Sequence, residues 1–290
     1  MRGCPMLNFP IGAITDEFSP ELEIALPAMA GVGMTFAELR VVGGRNLIDL
    51  TDDEIAAARE AVERHGMTVL SIASPLLKCV LPGGPPLDER VQQDVFGSVH
   101  TFEDQPRLTR RALEIAVKTG ARMIRVFSYW RTVAPEQCFD QIVAALRELA
   151  DRAAERGLII GLENEHGCNI GTGAEAARIL AAVDHPSFQV IWDPANAAVL
   201  GEVPFPDGYA HLPIGRIAHV HAKDCVVQDG RPTWGPLGEM GIDWRRQIAA
   251  LVGDGYAGAI SLETHWRGTD GDRLAASTIC GRNLRDLVTA

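Results

Sequence analysis

The chain lacks several things that would each have named a class of protein. Its six cysteines, Cys4, Cys79, Cys138, Cys168, Cys225 and Cys280, include no CxxC pair and no close framework spacing. That excludes a disulfide scaffold and a cysteine-built zinc site, and the thiols read as reduced, in a cytoplasmic protein. No apolar run approaches the ~18 residues that a membrane helix needs, and Met1-Arg2-Gly3-Cys4-Pro5 has no apolar core of a signal peptide. Positive charge is scarce too. With 27 basic against 38 acidic residues the net charge is −11, a field that repels nucleic acid and anionic membrane. The 290 residues are 47% apolar and 22% charged, ordinary for a globular enzyme and enough for one large core.

What is present is a rhythm. Short apolar strands are expected at 11–16, 35–40, 67–73, 123–127, 158–163, 189–193, 217–224 and 259–263, with helices between them. Ser19-Pro20 should start the first helix, and Thr51-Asp52-Asp53-Glu54 and Thr172-Gly173-Ala174-Glu175 read as capping boxes. Pro135 should open a long helix with an apolar face at Phe139, Ile142, Val143, Leu146, Leu149 and Ala153, and Asp243 another. The junctions His65-Gly66, Thr119-Gly120 and Arg156-Gly157 repeat one grammar: helix, left-handed glycine cap, strand. Eight such units predict a closed α/β barrel, a single (β/α)8 TIM barrel over residues 1–290. Two connections interrupt it, at 74–105 and 203–215, and loops of that length often bind ligands or cover them.

Polarity collects in one strand. In Ile217-Ala218-His219-Val220-His221-Ala222-Lys223-Asp224 the two-residue period sends His219, His221 and Lys223 to one side and the alanines and valine to the other. In a parallel barrel chemistry gathers where strands end. The fifth to eighth strands end in Glu163, Asp193, His221 and Glu263. Three carboxylates and an imidazole converging on one space would repel one another unless a cation held them. The oxygen-dominated set suits a divalent ion in an open site, Mn²⁺ foremost, with Mg²⁺, Co²⁺ and Zn²⁺ compatible. Glu165, His166, Asn196, His219, Lys223 and Glu38 are candidates to touch substrate; Lys223 has the alternative of pairing with Asp224 or Glu239, and Glu38 and Arg40 of pairing with neighbouring charges. Trp130, Trp234 and Trp266 stand near strand ends as wall or packing. Gly171-Thr172-Gly173-Ala174-Glu175-Ala176 fits a dinucleotide fingerprint, but it does not follow a strand directly, and no nucleotide cofactor is expected.

Leu162-Glu163-Asn164, Trp192-Asp193-Pro194-Ala195-Asn196-Ala197, His221-Ala222-Lys223-Asp224, the run Gly235 to Trp244 and Ser261-Leu262-Glu263 resemble the xylose isomerase-like TIM-barrel superfamily of sugar isomerases and epimerases. The resemblance spans nearly the whole chain, with its specific motifs in the second half. It implies that Glu163 and Glu263 bind the metal and shuttle protons while Asp193 and His221 complete the site. Two departures stand out: Asn196 takes a place where ketose 3-epimerases often carry histidine, and their arginine after the metal histidine has no counterpart here.

The reading that follows is a metal-dependent isomerase or epimerase of carbohydrate metabolism. It would act on a small sugar or keto-polyol by proton transfer through an enediolate stabilised by the cation. A lyase or dehydratase using the same parts is the alternative. An apurinic endonuclease-like repair enzyme fits the negative charge poorly, and a sugar-binding barrel without catalysis is a further alternative. No nucleic-acid or membrane partner is expected, and the oligomeric state stays open.

Overall fold

A computed structural model describes residues 9–91 and 100–289; Cys4 with its neighbours, and part of the 74–105 connection, lie outside that range. Eight parallel strands close into a barrel in chain order: Ile11–Ile14, Phe36–Leu39, Thr68–Ala73, Met123–Val126, Ile159–Glu163, Phe188–Trp192, Ile217–Ala222 and Ile260–Leu262. Closure comes from the pairs Ile11↔Ile260, Gly12↔Ser261 and Ala13↔Leu262. The strands read as nearly unbroken apolar or small residues because both faces are covered, one by the barrel interior and one by the helices. Gly12 shows how tight this is: a Cβ there would lie 2.7 Å from the Phe36 carbonyl oxygen of the next strand.

The local punctuation behaves as its chemistry requires. Both capping boxes form, at Thr51/Glu54 and Thr172/Glu175, and they start the helices Asp52–Arg64 and Gly173–Val183. Gly66, Gly120 and Gly157 all take positive φ, where a side chain would be strained. Among the described residues no helix is long and apolar enough to cross a membrane.

Two expectations needed correction, and one element was not foreseen. The first helix runs Leu22–Gly31, later than the Ser19-Pro20 start, because Thr15–Glu17 first makes a tight helical turn and the Ser19 hydroxyl accepts only from the Glu21 amide. The cause is tertiary, since Asp16 and Glu17 are drawn inward onto Arg40. Likewise Pro135–Cys138 forms a separate tight turn before the helix Phe139–Ala154. A hairpin, Cys225–Gln228 with Arg231–Trp234, follows the seventh strand and was not anticipated. Its signal was legible: Asp229-Gly230, both at positive φ, is a turn pair that joins antiparallel strands.

The two long connections have different uses. The first turns back along the exit of the fourth strand, where the amides of Phe127, Tyr129 and Trp130 donate to the carbonyls of Leu76, Leu77 and Cys79. This brings Lys78 to the barrel mouth. The second packs on the outer helices. Glu202 accepts from the amides of Gly173 and Ala174, and a Cβ on Gly173 would meet the Gly208 carbonyl oxygen at 2.3 Å. The fingerprint-like glycines thus serve close packing. Because the obstructing atom is backbone, Gly173→Ala is expected to cost about 1–3 kcal/mol, read from denaturant unfolding; an unchanged midpoint would show that this loop yields freely.

Candidate metal centre

The inward side of the seventh strand carries His219, His221 and Lys223, all buried, as the two-residue period requires. Strand ends on either side supply the rest. Glu163, Asp193, His221 and Glu263 each bring a ligand atom within 4.8 Å of the others. His221 Nδ1 lies 3.0 Å from Glu163 Oε1 and 3.6 Å from Glu263 Oε2. Asp193 follows the sixth strand directly and caps the short helix Pro194–Val199, its Oδ1 accepting from the Asn196 amide.

Cations stand among these carboxylates. Arg125, from the fourth strand, places one Nη1 3.1 Å from Glu163 Oε2 and 3.0 Å from Glu263 Oε1. Lys223 Nζ lies 2.9 Å from both Asp193 Oδ2 and Glu263 Oε2, and Arg40 Nη1 3.2 Å from Glu263 Oε1. Lys223 therefore takes neither Asp224 nor Glu239 as partner. The Asp224 carboxylate accepts from the amides of Cys225, Gly238, Met240 and Ile242, fastening the loop behind the hairpin, and Glu239 meets Asn283.

The expected substrate contacts divide into two groups. Asn196, His166 and Glu165 gather beside Glu163: His166 Nδ1 is 2.8 Å from Asn196 Oδ1 and 2.9 Å from Glu165 Oε1, and Asn196 Nδ2 is 3.5 Å from Glu163 Oε1. Glu38 and His219 sit apart from that group, deeper in the barrel. Glu38 contacts His219 Nε2 at 2.9 Å and His221 Nε2 at 3.4 Å and accepts from the Ser71 hydroxyl, so its oxygens are committed to holding imidazoles. Trp234 lies over Lys223, 5.6 Å from Nζ to the ring centroid, and packs edge-on against His265; Trp130 lies 5.6 Å from Lys78 Nζ. Trp266 packs against the core.

Sequence reading passed over Arg125, Lys78, Asp16 and Glu17. The signal for Arg125 was a lone charge inside an apolar barrel strand; Lys78 lay in a loop and had none.

Burial sets the electrostatics. Seven carboxylates, Asp16, Glu17, Glu38, Glu163, Glu165, Asp193 and Glu263, share this interior with four cations, Arg40, Lys78, Arg125 and Lys223. The excess of negative charge needs protons or a metal ion. Burial raises the Asp193 carboxyl to about 6 although Lys223 opposes it. For His221 burial acts downward, but Glu163 and Glu38 overcome it and hold the imidazole well above its ordinary value. Burial opposes ionisation of Glu263 too, yet Lys223, His221 and Arg125 keep its carboxyl well below the usual range.

A divalent ion fits this donor set. All four donors are carboxylate oxygens or an imidazole nitrogen, the charge excess calls for a cation, and Asp193 Oδ2 is a buried oxygen without a hydrogen bond. The 2.9 Å approach of Lys223 to that oxygen is an ion pair lying off the hydrogen-bonding direction, which reconciles the two observations.

Burial also pushes the Glu17 carboxyl up to about 7, against the pull of Arg40. A carboxyl raised in the folded state stabilises the fold fully below its ordinary pKa of 4.5, and that contribution is lost as pH rises through about 7. Glu17→Gln should therefore gain on the wild-type protein by about 3 kcal/mol between about pH 5 and about pH 8. Denaturant unfolding of both proteins at the two pH values, with chelator present, checks this; a difference independent of pH would refute it.

The chain is similar to known proteins. Residues 26–280 match the family model of the xylose isomerase-like TIM barrel. An inosose dehydratase from Geobacillus thermodenitrificans is 30% identical over 101 residues, 34% of this chain and 32% of that protein. A 3-dehydroshikimate dehydratase from Pseudomonas aeruginosa is 33% identical over 138 residues, 45% of this chain and 21% of that protein. The chain thus aligns with no more than about a third of either curated relative's length. A xylose isomerase-like TIM barrel protein from Mycobacterium smegmatis, solved in complex with magnesium, superposes with a TM-score of 0.69 at 18% identity over 97% of both chains, a likeness of fold. With eight parallel strands closed into a barrel and the family model matched over residues 26–280, this chain belongs to the xylose isomerase-like TIM barrel family.

Proposed function

We propose that the chain is a divalent-metal-dependent enzyme that removes a proton from the carbon beside a carbonyl in a small uncharged polyhydroxy ketone, and that loss of a hydroxyl from the next carbon completes a dehydration. The observation that carries the choice of dehydration is the inequality of the two glutamates. Glu263 faces three cations, Arg40, Arg125 and Lys223, so it stays ionised and serves poorly as a proton donor. Glu163 meets one, Arg125, together with His221 and Asn196. An asymmetric pair suits one base with a separate acid better than exchange between two like groups.

An ion held by Glu163, Asp193, His221 and Glu263 would supply Lewis-acid polarisation of the carbonyl. Glu163 takes the proton from carbon, and its other contacts keep the carboxylate aimed. The electron pair moves toward the carbonyl and returns to form a carbon–carbon double bond as the neighbouring C–O bond breaks. His166 gives the departing hydroxide a proton, so that water leaves. Its Nδ1 is engaged by Glu165 and Asn196, which makes Nε2 the donating atom. Burial tends to lower the His166 pKa, but the Glu165 carboxylate outweighs it and keeps the ring protonated to higher pH.

Charge supports the substrate class. Adding two positive charges and a protonated His166 to four cations against seven carboxylates leaves an interior without surplus positive charge, a poor host for phosphate or a carboxylate acid and a good one for neutral hydroxyls. The magnesium of the Mycobacterium smegmatis neighbour and the dehydratase names of the curated relatives agree with a metal-dependent dehydration, though 3-dehydroshikimate, unlike the substrate proposed here, carries a carboxylate. Epimerisation is the second reading, favoured by Glu163 and Glu263 meeting at one Arg125 nitrogen from the ends of the fifth and eighth strands. Metal-loaded protein incubated in deuterated water with cyclic polyhydroxy ketones and ketoses decides between them. Product lighter by one water is expected, deuterium uptake without mass loss of water would favour epimerisation, and neither change would overturn both.

A further inference from the structure

We propose that Lys223 is a tethered competitor for the divalent ion, and that metal binding drives its ammonium off the ligand oxygens and toward the face of Trp234. The inference rests on the metal-centre reading of Glu163, Asp193, His221 and Glu263. Lys223 Nζ does not stand beside the donor set but on it, 2.9 Å from Asp193 Oδ2 and 2.9 Å from Glu263 Oε2. That Glu263 oxygen is also the one nearest His221 Nδ1, at 3.6 Å, and that Asp193 oxygen has no hydrogen bond. These are the atoms that face the shared centre. A divalent ion and an ammonium cannot occupy one pair of oxygens without strong repulsion in a buried setting.

The surroundings determine where the ammonium goes. Asp224, the adjacent carboxylate, is saturated by four backbone amides and is closed to it. Glu165 is already engaged by His166 and Lys78. The face of Trp234 lies 5.6 Å from Nζ, and an indole face attracts a cation. An ammonium released there keeps three donors for substrate oxygens. In the metal-free protein the same lysine neutralises two buried carboxylates, so it stabilises the empty fold and weakens metal affinity at once. Metal would load before substrate, and the lysine would become a substrate ligand only afterwards.

The sign of the effect makes the test sharp, because removing a residue from a binding site is expected to tighten binding. Calorimetric titration of Mn²⁺ into the wild-type protein, K223M and K223Q, with thermal melting in chelator and in saturating Mn²⁺, reads both halves. K223M should bind Mn²⁺ about tenfold tighter or more, melt lower than wild type in chelator, and gain more from the ion. K223Q, which keeps a polar but uncharged side chain among the carboxylates, guards against a methionine variant that fails to fold and should shift the same way. Equal or weaker Mn²⁺ binding by the variants overturns the competition while leaving the metal centre standing. Absence of Mn²⁺ binding in all three proteins overturns the metal centre and the competition with it.

Discussion

Glu163→Gln is expected to keep the barrel and lose turnover by about a thousandfold at saturating metal. The amide preserves shape and one ligand oxygen but cannot accept a proton from carbon, and a positioned general base is worth about 10²–10⁴ in rate. The fold should survive because Arg125 keeps Glu263 and His221 keeps Glu38 as partners. Deuterium exchange from solvent into the substrate carbon, measured at a metal concentration that saturates the variant, separates lost chemistry from weakened binding. Exchange within tenfold of wild type under those conditions would remove Glu163 from the role of base.

Arg125→Leu should have the largest effect on stability. Arg125 is 4% exposed and its guanidinium bridges Glu163 and Glu263, so its removal takes from Glu163 the cation it meets and leaves Glu263 to Arg40 and Lys223. Deleting one member of a buried ion cluster typically costs about 3–5 kcal/mol. The same change at Arg246, whose side chain is 67% exposed and pairs with Asp243 at 3.7 Å, should cost less than about 1 kcal/mol. A divalent ion can replace part of the lost positive charge, so metal should recover more stability in the variant than it adds to the wild-type protein. Denaturant unfolding with and without chelator measures each term. A loss below about 1 kcal/mol in chelator would mean that protonation of the carboxylates relieves the repulsion and that Arg125 is not the balancing charge.

Much of the candidate metal centre could be read from sequence because two periodicities were enough. Helix caps and glycine stops located the strands, and the strand ends then named Glu163, Asp193, His221 and Glu263, whose candidate ligand atoms the structure brings within 4.8 Å of one another. The positions of Glu38 and His219 were harder. The strand period shows that both point inward but not how deep they lie, and depth separates a group that meets substrate from one that holds His221 from below. The first helix start failed for a similar reason: a serine before a proline is a sound local cap, and an arginine elsewhere in the chain reshaped the turn by drawing in Asp16 and Glu17.

The sequence by itself determined the eight-unit alternation, the glycine caps, the capping boxes and the carboxylates and imidazole at successive strand ends, because each depends on neighbours a few residues away. Only the tertiary structure decided which charges share a partner. Arg125 reaches Glu263 across 138 positions, and Lys223 chooses Asp193 over the adjacent Asp224. Such pairings follow from the stagger at which a closed sheet meets itself and from which carboxylates the backbone amides have already taken, and neither is written in any local stretch of the chain.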